Sequence, residues 1–527
     1  MTASKEELKS VHIDEVLSNF HIFSRYHVKS MFLFFLAFTV HCMFVNNYVF
    51  AVKQVDYRCK SGLDVCSKRY SYNSSIIDTC NTNLNSDDDY KTICTNISDS
   101  VAVCSDPEYD DDTSFVAEFD LTCEEWKRTL VGSVHNFGLM IGLLLIGPIS
   151  DRFGRKASIV IPGIIGGTLG LVKSYVHNYW LYIVIEFMEA AFGDVCSPTY
   201  MLTIETVFAK DRVLFLTIAH FGIQAGGILG ACLAWSFPYW RDFVRVTYGP
   251  TLLLFIFYIF AIDESPRWLM TKNKKDAAVA VLKKAAKINR ITLDKNFVDN
   301  LTNDKGTEKE QDVKSVLKMT LKSKVLFGRL MVSFLWWVTS ILVCYGVTIN
   351  SVLLKGNEYL NYILLSLIDI PSVVVTGYIL SRFRRKKPLI LCFLAAAVFF
   401  FIQPLIPDEY TWLSMMFYLA GRFSASTYLG IIYIYTSELF PTHSRNTLHA
   451  MCSSVGRVGS ILAPQTPLLM VYWAGIPALI YSGLSLVSGL ATVFVADIEH
   501  DALPDTVEQA ENIGKKVRKI EKVTDKC

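Results

Sequence analysis

The hexapeptide Asp151-Arg152-Phe153-Gly154-Arg155-Lys156 has an echo in Ser381-Arg382-Phe383-Arg384-Arg385-Lys386, 230 residues further on. Beyond each copy comes a second recurrence. Glu205 precedes Arg212 by seven residues and Glu438 precedes Arg445 by seven, an offset of 233. Self-similarity at a nearly fixed distance is the mark of a duplicated unit. Both basic turns interrupt long apolar runs, so the repeated unit is a bundle of apolar helices.

Composition agrees. Hydrophobic residues make up 52 % of the 527 and charged residues 19 %, below the quarter or so of ordinary globular chains. Apolar runs of about 20 residues are long enough to cross a hydrocarbon core of about 30 Å as helices. Hydropathy predicts spans at 29–52, 129–149, 157–176, 179–204, 213–235 and 243–262, then at 326–349, 358–380, 388–406, 411–436, 447–470 and 474–496. The fold class expected is an all-α membrane protein of twelve transmembrane helices in two six-helix pseudo-repeats. The net charge of +2 argues against a bulk nucleic-acid binder.

Basic residues set the orientation. Arg152, Arg155 and Lys156, Lys210 and Arg212, Arg382 to Lys387 and Arg445 all fall on one side. The positive-inside rule makes that side cytoplasmic, with both termini. The expected organisation is a cytoplasmic segment 1–28, an N-terminal bundle 29–262, a cytoplasmic central loop 263–325, a C-terminal bundle 326–496 and a cytoplasmic tail 497–527. The central loop carries fifteen Lys and Arg against nine acids, patterned as amphipathic helices near the inner membrane surface. Loop 53–128 is acidic and outside. Its six cysteines, Cys59, Cys66, Cys80, Cys94, Cys104 and Cys123, read as three disulfides with open pairing. Asn73 and Asn96 are glycan acceptors in the same loop.

Duplicated bundles place their site between the halves near the midplane and rock around it. On that reading Asp151, Arg152, Arg155, Lys156, Glu205, Arg212, Glu264, Arg267, Glu438 and Arg445 form a cytoplasmic gate, with Glu–Arg pairs latching the halves. Ionisable groups inside spans are costly and mark function. Glu186, Glu189 and Asp194 fall within nine residues of the fourth span. A buried carboxylate there can bind a cation, relay a proton or pair with a neighbouring base. Asp369, Arg422 and Arg457 lie in later spans, and Arg422 is suited to a carboxylate across the bundle. His41, His135 and His220 are intramembrane too, and read as packing groups.

GPISDRFGRK (147–156), ESPRWL (264–269), SELFPTHSRN (437–446) and the tail ALPDTVEQAENIGK (502–515) together resemble the organic cation, anion and zwitterion carriers of the major facilitator superfamily. The resemblance covers about 29–515. It implies alternating access and transport of small organic ions at the plasma membrane. It also implies substrate contacts at Asn136, Trp337 and Tyr345 beside Glu186, Asp369, Arg422 and Arg457. Glu186 departs from the arginine common there. An acid at 369, valine at 373 and a base at 457 fit a substrate bearing both charges, or a cation with Arg457 tied to an internal acid; an organic anion carrier, or a non-transporting membrane receptor or scaffold, is the alternative.

No Gly-x-x-x-x-Gly-Lys-Ser/Thr loop occurs, so ATP-driven pumping is disfavoured. Neither a zinc-ligand spacing nor a grouped catalytic set is apparent, so neither a metal, a cofactor nor an enzyme is expected. The partners expected are a small organic ion, the lipid bilayer and a coupled ion whose identity stays open.

Overall fold

The computed structural model describes residues 23–55, 57–59, 107–109, 111–121, 124–207, 211–291, 323–407, 409–440, 442–470, 472–497 and 510–511. The glycan acceptors Asn73 and Asn96, and Cys66, Cys80, Cys94, Cys104 and Cys123, lie outside these residues. Of the loop's cysteines only Cys59 falls within them, in strand β1 (Tyr57–Cys59), which pairs antiparallel with β2 (Pro107–Tyr109).

The first half consists of α1 (Arg25–Ala51), the short α2 (Phe115–Glu118), α3 (Glu125–Phe153), α4 (Arg155–Lys173), α5 (Tyr179–Phe192), α6 (Cys196–Thr206), α7 (Arg212–Ser236) and α8 (Trp240–Ala261). Two connecting helices follow, α9 (Pro266–Thr271) and α10 (Lys275–Asn289). The second half holds α11 (Lys324–Asn350), α12 (Glu358–Arg382), α13 (Lys386–Ile402), α14 (Thr411–Glu438), α15 (Thr442–Leu462), α16 (Thr466–Leu469) and α17 (Ile476–Thr492). Among the described residues, eight helices are long and apolar enough to cross a membrane.

Local chemistry sets several starts. Asn178 accepts from the backbone N–H of Leu181 at 3.1 Å, and Asn357 from Tyr359 and Leu360 at 3.0 and 3.1 Å. Such caps satisfy donors that a helix start leaves orphaned. The fourth span, expected unbroken over 179–204, is two helices separated at Gly193–Asp194–Val195. Asp194 accepts from Cys196 N and Ser197 Oγ, both at 3.0 Å, and so satisfies the first N–H of α6 from one residue ahead of its N-cap, Val195. A residue that offers the backbone an alternative partner ends one helix and starts another.

The surface is inverted relative to a water-soluble protein. Phe260, Leu253, Leu391 and Phe494 point outward, while Lys173, Glu186 and Glu189 are buried. Each half has its own apolar core. Helix α10 turns Ala278, Leu282 and Ala285 inward, and Asn289 accepts from Tyr26 N at 2.9 Å. Its apolar face therefore packs on protein.

The halves meet along α3 against α15 and α7 against α12. Their bonds gather at the end bearing the acidic loop. Lys53 pairs with Glu358 at 2.8 Å, Thr129 donates to Gln465 at 3.1 Å, and Ser133 donates to Ile461 O at 2.8 Å. Phe50 packs on Tyr359 and Tyr362. At the opposite, basic end, Arg152, Phe153 and Arg382 are exposed, and the Asp151 side chain is 69 % exposed. The molecule is closed at the loop end.

Candidate functional site

The basic end holds two copies of one arrangement. In the first half, the Arg155 guanidinium donates to Asp151 at 2.7 Å and to Glu205 at 3.1 and 3.2 Å. Glu264 accepts from the backbone N–H groups of Arg155 and Lys156 at 2.9 and 3.2 Å, placing its charge at the positive end of α4. Arg267 donates to Glu205 O at 3.2 Å, and Trp268 to Asp151 O at 3.0 Å. Gly154 has φ +106°, and a Cβ there would collide with the Glu264 carboxylate. That collision explains the glycine in the motif.

In the second half Arg385 donates to Glu438 at 3.0 and 3.1 Å, and Asp497 accepts from Lys386 N at 3.4 Å. The duplication is therefore chemical as well as topological. Glu205 and Glu438 pair with Arg155 and Arg385, about 50 residues away, and each pair lies within one half rather than across the seam. Arg212 opens α7 and Arg445 lies in α15, whose first side chains are outside the described residues.

Two expected substrate contacts are already neutralised inside the protein. Asp369 is gripped by Arg422 at 2.9 and 2.7 Å in a bidentate pair and accepts from Ser426 at 2.5 Å. Arg422 also donates to Cys344 O at 2.6 Å and Thr348 Oγ1 at 3.1 Å. Glu186 accepts from Lys173 Nζ at 2.8 Å and lies 2.8 Å from His135 Nδ1. Lys173 also reaches Glu189 at 3.4 Å and Tyr248 Oη at 3.2 Å. All four charged or titratable members are buried.

Sequence reasoning missed Lys173, although it is the one charged residue within 157–176. His135, read there as a packing group, belongs to the same cluster. Among the described residues, His135, Glu186 and Glu189 alone bring three metal-ligand atoms within 4.8 Å of one another. The Lys173 ammonium already supplies their cation, so they are not assigned a metal.

Trp337 is fully buried, donating to Thr436 at 3.1 Å and packed edge-on to His449, so it offers no surface to a ligand in this conformation. Asn136 donates to Gly132 O at 2.8 Å and Tyr48 Oη at 3.2 Å, while its Oδ1 is buried without a partner.

Arg457 is different. It is half-buried, donates from Nη1 to Tyr345 Oη at 3.2 Å, and its Nε is buried without a hydrogen-bond partner. Asp194 and His41 of the first half lie within its electrostatic reach. His41 Nδ1 stands 3.5 Å from Asp194 Oδ1. The Arg457 charge of the second half is thus felt at Asp194 and His41 of the first, beyond salt-bridge distance.

Comparison with known proteins identifies the architecture. Residues 75–497 match the family model for sugar and other transporters. The chain belongs to that transporter family. It is 28 % identical to the organic cation transporter protein of Drosophila melanogaster, over 80 % of this chain and 78 % of the relative. It is 30 % identical to solute carrier family 22 member 13 of Homo sapiens, over 75 % and 71 %. The fold matches the xylose transporter XylE from E. coli in an inward open conformation, with TM-score 0.58, 16 % identity, and coverage of 92 % of this chain and 99 % of that one. The architecture is the major facilitator fold, and the chain is a multi-pass membrane transporter.

Proposed function

We propose that this transporter moves small organic zwitterions of betaine, carnitine or amino-acid type across the plasma membrane by alternating access, with its basic end in the cytoplasm. One observation carries the reading. Among the described residues, Asp369 and Glu186 are ion-paired to Arg422 and Lys173 and Asp194 stands 3.5 Å from His41, whereas Arg457 of the second half has no carboxylate within salt-bridge distance and keeps a buried Nε without a partner. Arg457 holds the substrate carboxylate and Asp194 the ammonium. A substrate bridging the two draws the halves together, which suits a carrier that opens one side at a time. A protonated His41 would mask Asp194, and the same pocket would then favour an organic anion.

The conformation supports alternation too, because the loop end is closed while the basic end is exposed. A Cβ on Gly132 would lie 2.7 Å from the Tyr48 ring and 2.9 Å from Pro464 of the other half. Gly132→Leu therefore penalises this closed state by about 1–3 kcal/mol, a shift of roughly 5- to 150-fold in population. Thiol labelling of a Gln465→Cys variant from outside the cell should rise with it; unchanged labelling contradicts the assigned gate.

Transport itself is tested with labelled carnitine in proteoliposomes. Preloading with unlabelled carnitine should accelerate uptake, as exchange through one alternating site requires. Binding without uptake would make the protein a receptor.

A further inference from the structure

A zwitterion gains nothing from the membrane potential, so concentrative uptake of one needs a second ion. This inference rests on the zwitterion reading. The chain holds a site suited to one proton and to no larger cation.

The cluster of Lys173, Glu186, Glu189 and His135 is buried in the half of the bundle nearest the outer face. Glu186 sits seven residues into α5 and His135 ten residues into α3, about 10 and 15 Å from their outer starts at 1.5 Å per residue. Two carboxylates and one ammonium leave the group one negative charge in excess while His135 is neutral. An uncompensated buried charge is costly, and adding one proton makes the cluster neutral.

The hydrogen bonds leave one ring nitrogen of His135 open to that proton. An ionised carboxylate only accepts, so His135 Nδ1, 2.8 Å from Glu186, is the nitrogen that carries the hydrogen. The free lone pair is then on Nε2, which is buried and has no hydrogen-bond partner. The titratable and charged groups around it are Lys173 from α4, Tyr182, Glu186 and Glu189 from α5, Tyr248 from α8, and Tyr48 and His41 from α1. From the second half, Arg457 acts on His41. Lys173 Nζ, bonded to both carboxylates, occupies the place a sodium or divalent ion would need.

The cluster also adjoins the outer gate. His135 lies two residues from Ser133 and three from Gly132 on α3, the residues that close against Ile461 and Pro464. Its ring packs 5.4 Å from that of Tyr48, the same ring that flanks Gly132. A change of charge at His135 therefore acts on the surface that opens and closes.

We propose that His135 Nε2 is the loading site for a co-transported proton. The lone pair takes H⁺ while the outer side is open, and neutralising the cluster favours closure. The proton leaves Nε2 to the cytoplasm after the substrate does, regenerating the neutral imidazole.

The test uses the full-length protein in proteoliposomes, with the potential clamped at zero by potassium and valinomycin, labelled carnitine as substrate and a pH-sensitive dye inside. An inward gradient of about one pH unit should raise steady-state accumulation by up to about tenfold for one coupled proton, and carnitine entry should acidify the lumen. In His135→Gln, which keeps a donor toward Glu186 but no basic nitrogen, carnitine exchange at equal pH should persist while both proton effects vanish. Glu189→Gln, which cancels the excess charge, should do the same and serves where His135→Gln does not accumulate. Exchange with no response to the gradient in the wild type overturns the proton site alone. A gradient response retained in His135→Gln overturns it as well. Absence of carnitine exchange in the wild type instead overturns the zwitterion reading.

Discussion

Lys173→Met should all but remove the protein from the cell surface. The substitution deletes the ammonium that holds Glu186 at 2.8 Å and Glu189 at 3.4 Å, leaving two buried carboxylates with only an imidazole between them. Breaking a buried ion pair from one side costs about 3–5 kcal/mol, a large share of a total stability of about 5–15 kcal/mol. The loss is electrostatic rather than steric, because methionine has nearly the length of lysine. Lys173→Met combined with Glu186→Gln should therefore recover much of the wild-type level, since Glu189 and a protonated His135 remain 3.7 Å apart. Surface biotinylation and thermal unfolding in detergent measure both variants. Normal abundance and stability of the single variant would mean that Lys173 does not neutralise the cluster.

Much of this architecture was legible because hydrocarbon allows so few solutions. Apolar runs of span length and the recurrence at 151 and 381 led to paired six-helix bundles without any tertiary information. Within that frame, the errors have specific causes. A hydropathy window averages over Gly193–Asp194–Val195, so the fourth span read as one helix although glycine followed by an acid is a recognisable break. The Glu205–Arg212 and Glu438–Arg445 spacings invited a local pairing. Glu205 and Glu438 also hold Arg155 and Arg385, which only the folding of α4 against α6, and of α13 against α14, brings near. Glu264 was legible as a gate residue, but its counterpart Asp497 escaped notice because the two copies differ in residue type. Asp369 read as a substrate contact, and no pattern within a single span shows whether such an acid is already paired. The structure supplies Arg422 from another helix. Lys173 was visible throughout as a lone base in an apolar span, and the cost of such a residue was signal enough to seek its partner.

Arg457 carries the second large expected effect. Hydrogen bonds to charged groups contribute about 1.5–3 kcal/mol, so losing the guanidinium from a carboxylate-bearing substrate should lower its uptake by roughly 10- to 150-fold. Folding is affected less, because Arg457 gives one hydrogen bond to Tyr345 among the described residues and has no carboxylate within salt-bridge distance. Asp194→Asn keeps one acceptor, Oδ1, for the Cys196 N–H but removes the charge offered to an ammonium.

The most direct measurement compares uptake of a labelled monovalent cation, carnitine and a dicarboxylate by cells expressing wild type, Arg457→Gln and Asp194→Asn at matched surface abundance. Wild type should prefer carnitine, and each variant should lose most of that uptake. Arg457→Gln should shift preference toward the cation and Asp194→Asn toward the dicarboxylate. Carnitine uptake unchanged in both variants, or a wild type that carries only the cation, would contradict a site built from one charge on each half.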